Sequence, residues 1–172
     1  MLRHQPGQIG LTLDAQGWAD VDELLSKANQ HGVKLTRALL NEVVAHNDKQ
    51  RFAFNADGTR LRANQGHSIK IDLGLEPIAP PEFLYHGTAT RFLASIQQHG
   101  LLRGNRDYVH LSPDEATARK VGARHGEPIV LVVKAGEMHT AGCTFYRAAN
   151  GVWLIDHVPS EYLDIPANPL AN

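Results

Sequence analysis

A proline-rich stretch of eight residues, 74–81, divides the sequence. It reads Gly-Leu-Glu-Pro-Ile-Ala-Pro-Pro. Proline lacks a backbone N–H and its ring fixes φ, so this stretch continues neither a helix nor a central strand. We therefore predict a linker at 74–81 between a lobe at 1–73 and a second lobe at 82–172. A chain of 172 residues is long enough for two small lobes of this kind.

The first lobe has the pattern of two helices followed by a hairpin. Asp20 and Thr36 are candidate N-caps, and Asp20 is followed three residues later by Glu23, as in a capping box. Apolar residues recur at helical spacing after each cap, and the stripe of the second helix contains Leu39, Leu40, Val43 and Val44. Residues 51–54 and 59–63 alternate around an Asn-Ala-Asp-Gly turn. Two helices and a hairpin are the parts of a winged helix.

The second lobe reads as short strands alternating with two helices. Thr90 is a candidate cap for a helix that ends near Gly100, and Ser112 for one that ends near Arg124. The predicted strands are residues 83–86, 108–111, 128–134 and 151–155. The sequence therefore predicts an α+β fold in which the second lobe has a mainly antiparallel sheet.

Composition limits the function classes. The formal net charge is −1, so RNA, if bound, must be bound by a local cluster of positive charge. The single cysteine excludes an intramolecular disulfide framework. No apolar run approaches the roughly 20 residues of a membrane span, and residues 1–8 lack the apolar core of a signal peptide. We expect a monomeric cytoplasmic protein that does not bind membranes.

Two clusters in the first lobe suit a phosphate oxyanion. Arg3 and His4 place a guanidinium beside a titratable ring just before Pro6. Arg60 and Arg62 share one face of the predicted strand, and the following segment adds polar donors at Gln65, His67 and Ser68. The alternatives are an exposed chain terminus for the first cluster and a solvated strand end for the second.

Two further clusters lie in the second lobe. The first is His86-Gly87-Thr88 at the end of a predicted strand, where glycine permits close approach of a ligand to the backbone. The second contains His110 and Ser112, which share a strand face, with Arg119 and Arg124 on the helix that follows. A locally satisfied histidine, a helix cap at Ser112 and solvated helical charges are the structural alternatives. No Cys/His spacing fits zinc, so we predict no metal site.

Taken together, these motifs resemble the RNA 2'-phosphotransferase family, the KptA-type enzymes, from Leu2 to about Leu163. They occur in family order and at family spacing. The segments are Leu2-Arg3-His4-Gln5-Pro6, Gly17-Trp18-Ala19, Arg62 to Ser68, Tyr85-His86-Gly87-Thr88, Val109-His110-Leu111-Ser112, Val121 to Gly126 and Asn150-Gly151-Val152-Trp153.

The resemblance implies a fold, a co-substrate and a set of site residues. It implies an N-terminal winged-helix lobe for RNA and a C-terminal lobe like that of ADP-ribosyltransferases for NAD. The catalytic set maps onto Arg3, His4, Arg62 and Arg124, with Arg119 the other candidate for the fourth position. The NAD side maps onto His86, Gly87, Thr88, His110 and Ser112, and Arg60, Gln65, His67 and Ser68 are assigned to the substrate phosphate or RNA.

The implied reaction removes a 2'-phosphate from RNA, as at tRNA splice junctions, and transfers it to NAD. NAD is consumed, no metal is needed, and the products are 2'-hydroxyl RNA, nicotinamide and ADP-ribose 1'',2''-cyclic phosphate, formed through an ADP-ribosylated 2'-phosphate on the RNA. Two alternatives stay open: an ADP-ribosyltransferase that caps nucleic-acid phosphates, and a winged-helix nucleic-acid-binding protein without catalysis. Family members usually have a helix before the Leu-Arg-His motif, whereas Met1 directly precedes it here. We therefore expect Arg3 and His4 to lie on a frayed chain end.

Overall fold

The protein divides into two compact units in a computed structural model that describes residues 2–47, 50–64 and 72–166. The N-terminal unit comprises Met1–Leu75 together with Asn105–Asp107. The C-terminal unit comprises Glu76–Gly104 and Tyr108–Asn172. A short segment far along the chain therefore belongs to the first unit.

The N-terminal unit contains two helices and a small sheet. Its elements are a 3-10 helix at Pro6–Ile9, β1 (Ala19–Asp20), α1 (Val21–Gln30), α2 (Arg37–Ala45), β2 (Phe52–Phe54) and β3 (Arg60–Ala63). The strands are antiparallel in the order β1-β3-β2. The predicted order of two helices and a hairpin is confirmed.

Both predicted caps of this unit are confirmed. Asp20 accepts a hydrogen bond from the Glu23 backbone N–H at 2.9 Å, and Thr36 accepts one from Leu39 at 3.2 Å. The predicted stripe of α2 is only half correct. Leu40 is buried, whereas Leu39 and Val43 are 42% and 44% exposed, because only the edge of α2 that carries Leu40 and Val44 packs on the core.

The core of the N-terminal unit begins at Leu2, which is 6% exposed. The other buried members are Ile9, Leu11, Ala19, Val21, Leu24, Leu40 and Leu61. The expectation of a frayed start is therefore wrong, because burial of this apolar side chain anchors the residue that precedes Arg3.

The C-terminal unit consists of short strands and three α-helices in its described part. Its strands are β4 (Leu84–Ala89), β5 (Leu101–Leu102), β6 (Val109–Leu111), β7 (Pro128–Val133), β8 (Tyr146–Arg147), β9 (Trp153–Ile155), β10 (His157–Val158) and β11 (Leu163–Asp164). Its helices are α3 (Leu93–His99), α4 (Glu115–Gly122) and α5 (Ala135–Thr140), with 3-10 turns at Thr90–Phe92 and Ser160–Tyr162.

Antiparallel pairing dominates this unit, as predicted. The sheets have the orders β11-β7-β4, β6-β9-β8 and β10-β5, and each of these strand pairs is antiparallel. One apolar core takes side chains from both three-stranded sheets, including Leu84 and Leu131 from the first sheet and Leu111 and Ile155 from the second. The shared core fixes the strands that carry the predicted histidines.

Two predicted helix caps in this unit are wrong. Thr90 opens a 3-10 turn without a side-chain cap, and α3 begins only at Leu93. The cap of α4 is Asp114, which accepts from the Thr117 N–H at 2.7 Å, whereas Ser112 is held in an isolated backbone bridge to Tyr85. Because that bridge keeps residue 112 extended, the helix starts later than predicted.

Among the described residues, no helix combines the length and the apolar character needed to cross a membrane.

Candidate functional site

Arg3 and His4 lie in a turn between the buried Leu2 and the 3-10 helix at Pro6–Ile9. The guanidinium of Arg3 is partly buried, and this burial lowers its pKa, with the charges of Arg51 and Arg106 adding to the effect. Loss of surrounding water lowers the pKa of the more exposed His4 from 6.5, and Arg3 and Arg106 lower it further. This corner of the N-terminal unit therefore concentrates positive charge and favours an anion.

Arg51 and Arg106 also belong to this cluster, although no sequence motif predicts them as site residues. Arg51 directly precedes β2, and Arg106 comes from Asn105–Asp107, the late segment that belongs to the N-terminal unit. Spacing along the chain gives no signal that Arg51 and Arg106, which lie 48 and 103 positions from Arg3, come close enough to act on its charge.

Arg62 lies on β3, paired with Ala53 of β2. Its Cζ atom lies 4.5 Å from the centroid of the Trp18 ring, and its Nε is buried with no hydrogen-bond partner in the described part of the chain. Two residues further, Asn64 is 6% exposed and donates from Nδ2 to the Gln50 carbonyl at 2.5 Å. The Trp18 ring thus holds the planar face of the Arg62 guanidinium. The N–H groups along the edge of the guanidinium are then suited to bind an oxyanion.

Arg60 has a carboxylate partner. Its Nη1 donates to Asp14 Oδ2 at 2.9 Å, and both side chains are well exposed. A phosphate at this position would compete with Asp14, so Arg60 is a weaker candidate than Arg62. The remaining predicted members of the cluster, Gln65, His67 and Ser68, lie outside the described residues.

His86 and His110 of the C-terminal unit are directly linked. The Nδ1 of His86 lies 3.0 Å from the carbonyl oxygen of His110. A carbonyl only accepts, so Nδ1 carries the proton, and Nε2 is the hydrogen-bond acceptor of the neutral ring. Next to them, Tyr85 and Ser112 exchange backbone hydrogen bonds at 2.9 and 2.7 Å. The structure thus brings together His86, His110 and Ser112 of the predicted NAD set.

Gly87 serves the packing of α4 against β4. A Cβ atom at this position would lie 1.6 Å from the carbonyl oxygen of Ala118, and one at Gly122 would lie 2.6 Å from the carbonyl of Thr88. Thr88 itself is 7% exposed. Any ligand contact at Gly87 would therefore use its backbone, because the side where a Cβ would point is occupied by the helix.

The two arginines considered for the fourth catalytic position differ in their partners. Arg119 is exposed on α4, with its Nη2 3.5 Å from Glu115 Oε1. Arg124 is exposed just after the helix, and among the described residues no carboxylate lies within ion-pair distance of it. Arg3, His4 and Arg62 belong to the N-terminal unit and Arg124 to the C-terminal unit, so the four-residue set stays a prediction.

No group of three or more His, Cys, Asp or Glu side chains is arranged to hold a metal ion in residues 2–47, 50–64 and 72–166.

Comparison with known proteins gives one family. The model of the RNA 2'-phosphotransferase, Tpt1 / KptA family matches residues 1–157. A protein of Agrobacterium fabrum strain C58 named "Probable RNA 2'-phosphotransferase" is 57% identical over 171 residues, which cover 99% of this chain and 92% of the relative. Proteins of the same name from Escherichia coli strain 536 and Shigella boydii serotype 18 are each 55% identical over 165 residues, covering 95% of this chain and 90% of each relative.

The family model covers all four clusters of predicted site residues, and the relatives match almost end to end. The predicted resemblance is confirmed, and this chain belongs to the RNA 2'-phosphotransferase family.

Proposed function

We propose that this protein removes an internal 2'-phosphate from RNA by transferring it to NAD, which is consumed as a co-substrate. The products are RNA with a 2'-hydroxyl, nicotinamide and ADP-ribose 1'',2''-cyclic phosphate. Family membership supports the 2'-phosphate as the group transferred. The observation that carries the proposal is the concentration of positive charge around Arg3, which suits a dianionic phosphate.

We further infer that the N-terminal unit is a winged-helix lobe for RNA and the C-terminal unit an ADP-ribosyltransferase-like lobe for NAD. The order α1, α2 and then the β2–β3 hairpin supports the first assignment. The antiparallel sheets that carry His86 and His110 support the second. The protein is expected to be cytoplasmic and monomeric and to need no metal.

The first step needs positioning more than acid–base chemistry. An oxygen of the RNA 2'-phosphate bonds to the ribose carbon that carries nicotinamide, and the bond to nicotinamide breaks with its electron pair moving to the ring nitrogen. The nucleophile is already an anion and the leaving group becomes neutral, so no strong base is required. The linked pair His86 and His110, with Ser112, offers polar groups for the NAD ribose hydroxyls.

The second step requires charge stabilisation. The neighbouring 2''-hydroxyl oxygen bonds to phosphorus and loses its proton to water, while the bond from phosphorus to the RNA 2'-oxygen breaks and its electron pair stays on that oxygen. Arg3, Arg62 and Arg124 would bind the phosphoryl oxygens as negative charge grows on them. His4 would donate a proton to the departing 2'-oxygen. Its lowered pKa makes the imidazolium a stronger acid, and a bound phosphate favours the charged form.

The test uses NAD and an RNA with one internal 2'-phosphate, with the products separated by mass spectrometry. In His4→Ala and Arg62→Ala we expect the second step to slow by about 10²-fold or more, so that RNA with an ADP-ribosylated 2'-phosphate accumulates. Lys34→Ala is the control, since Lys34 is an exposed cation of the same unit. Turnover like that of the wild type in both site variants would contradict the assignment.

The same assay separates the two alternatives. A wild-type protein that leaves ADP-ribose on the RNA would be an ADP-ribosyltransferase that caps phosphates. RNA binding without release of nicotinamide would indicate a winged-helix binding protein.

A further inference from the structure

Trp18 and Arg62 form the closest cation–π pair of the described residues. The Arg62 Cζ lies 4.5 Å from the Trp18 ring centroid, whereas the other three pairs, Arg91–Phe92, Arg37–Phe54 and Arg147–Trp153, span 4.8, 5.3 and 5.7 Å. Tryptophan is the strongest aromatic partner for a guanidinium because its ring face has the most negative potential. The pair therefore orients the Arg62 guanidinium.

The backbone holds the two partners opposite each other. In the β1–β3 register Asp20 pairs with Arg60 and Ala19 with Leu61. One step further along the same antiparallel register, Trp18 stands opposite Arg62. Cross-strand neighbours of this kind have side chains within contact distance. The stacking thus follows from the strand pairing.

Asp14 stabilises the turn that leads to Trp18 through hydrogen bonds. Its Oδ1 accepts from the Trp18 backbone N–H at 2.9 Å, and its own N–H donates to the Trp18 carbonyl at 3.0 Å. Its Oδ2 accepts from Arg60 Nη1 at 2.9 Å, which ties the turn to the strand that carries Arg62. Asp14 and Arg60 therefore support the position of the indole.

The indole orients Arg62 without using its donors or cancelling its charge. No carboxylate of the described residues lies within ion-pair distance of Arg62, and its buried Nε has no hydrogen-bond partner there. A carboxylate would take N–H groups and neutralise the cation, as Asp14 does for Arg60. Contact through the ring face leaves the edge of the guanidinium for an oxyanion.

We propose that Trp18 is a positioning residue for the second step, in which its indole face holds the Arg62 guanidinium with its N–H edge toward the phosphoryl oxygens. The expected effect of Trp18 on the second step rests on the proposed function. The orientation of Arg62 by Trp18 is a separate property that can be measured without turnover.

The experiment compares Trp18→Leu, which removes the ring, with Trp18→Phe, which keeps an aromatic face. Single-turnover assays resolve the formation of the ADP-ribosylated RNA from its conversion to cyclic phosphate. In Trp18→Leu we expect the second step to slow roughly 2- to 30-fold, the range of a lost cation–π contact, with the first step unchanged. Trp18→Phe should restore most of the second-step rate.

Two comparisons separate positioning from a structural effect. In an Arg62→Ala background, Trp18→Leu should cause no further loss, because the indole acts through Arg62. Phe54→Leu is the matched control, since it removes the Arg37–Phe54 pair of the same unit, 5.3 Å from Cζ to ring centroid, and should leave both steps unchanged. An equal loss from Trp18→Leu in the wild-type and Arg62→Ala backgrounds would overturn the proposal.

A direct readout does not depend on activity. The ¹⁵N–¹H heteronuclear Overhauser effect of the Arg62 Nε–H should report an ordered side chain in the wild type and in Trp18→Phe, and a mobile one in Trp18→Leu. Equal order in all three would overturn the inference, whereas an ordered Arg62 in a protein without NAD-dependent turnover would refute only the proposed function. A fluorinated tryptophan at position 18 weakens the ring face while keeping its shape, so it gives the same test if Trp18→Leu fails to fold.

Discussion

The two units hold their predicted site residues by different means. In the C-terminal unit, His86 lies on a six-residue strand that is hydrogen-bonded to β7 and packed against α4, so backbone atoms fix its position. In the N-terminal unit, Arg62 lies on a four-residue strand and is held by a ring face, and Arg3 lies in a turn among other cations. The comparison indicates that the C-terminal unit holds His86 in a rigid frame, whereas the N-terminal unit holds Arg62 through a side-chain contact and places Arg3 among other positive charges. Substitutions at the packed backbone of β4 and α4 should accordingly affect mainly stability, whereas substitutions of the predicted catalytic side chains should affect mainly activity.

The largest effect on stability is expected at the frame. Gly87→Ala would place a Cβ 1.6 Å from the Ala118 carbonyl oxygen, so α4 must move away from β4. We expect a loss of about 3 kcal/mol or more in the free energy of unfolding, measured by urea denaturation. Gly7→Ala is the control, because its Cβ would meet nothing within 4 Å. A urea midpoint of unfolding for Gly87→Ala equal to that of the wild type would remove the basis for calling this unit a rigid frame.

The next effect distinguishes Arg119 from Arg124, the two candidates for the fourth catalytic position. Arg124→Gln should lower the second-step rate by about 10²-fold if Arg124 binds the phosphoryl group. Arg119→Gln should leave that rate unchanged and alter stability by only a few tenths of a kcal/mol, since its exposed pair with Glu115 is a helical i, i+4 contact. The reverse ranking in the single-turnover assay would move the fourth catalytic position to Arg119.

Loss of a helix cap should have a smaller effect than these, and the effect should be about equal in the two units. Asp114→Ala and Asp20→Ala should each cost about 1 kcal/mol in thermal or chemical unfolding. Hydrogen bonds from the backbone N–H and the hydroxyl of Thr117 lower the pKa of Asp114 below 3.8. Its contribution is therefore present above that pH and is lost as the pH falls further. A cap that still stabilised the protein at acid pH would contradict the hydrogen-bonded carboxylate.

The smallest effect concerns the charge of the N-terminal unit. Arg106→Gln should raise the pKa of His4 toward 6.5, because it removes one of the positive charges that disfavour the imidazolium. The change can be followed by NMR titration of the ring protons, with Arg103→Gln as a control in which the pKa stays unchanged. Because the folded-state pKa is lowered, protonation of His4 destabilises the wild type as the pH falls below 6.5. An unaltered pKa in Arg106→Gln would remove Arg106 from the cluster.

Local features of the fold could be predicted where a short segment determines them. The caps at Asp20 and Thr36 and the turn at residues 55–58 depend on neighbours within a few positions, and they are observed as predicted. Ser112 was misassigned because its backbone bridge to Tyr85 joins two distant segments, and no local pattern reports such a bridge. Leu39 and Val43 were predicted as part of the apolar stripe of α2 but are exposed, because hydrophobic periodicity does not show how much of the helix surface contacts the core.

The candidate site likewise has features that short segments predict and features that depend on distant segments. Motifs predict Arg3, Arg62, His86 and His110 as site residues, because these residues occur in short segments typical of the family, and their roles stay predictions. The sequence did not predict the stack of Trp18 on Arg62, nor the position of Arg51 and Arg106 beside Arg3. Both depend on tertiary structure that joins segments 44 or more residues apart.

The segment Asn105–Asp107 has a consequence for how the protein can be dissected. It belongs to the N-terminal unit, although Glu76–Gly104 and Tyr108–Asn172 on either side of it belong to the other unit. A fragment cut at Leu75 would lack Arg106, and the complementary fragment would carry that arginine without the unit it belongs to. A chimera that joins the lobes of two relatives at the proline-rich stretch would therefore combine two sequences within the N-terminal unit. Residues 105–107 must come from the same relative as the first lobe for that unit to keep its own positive charge.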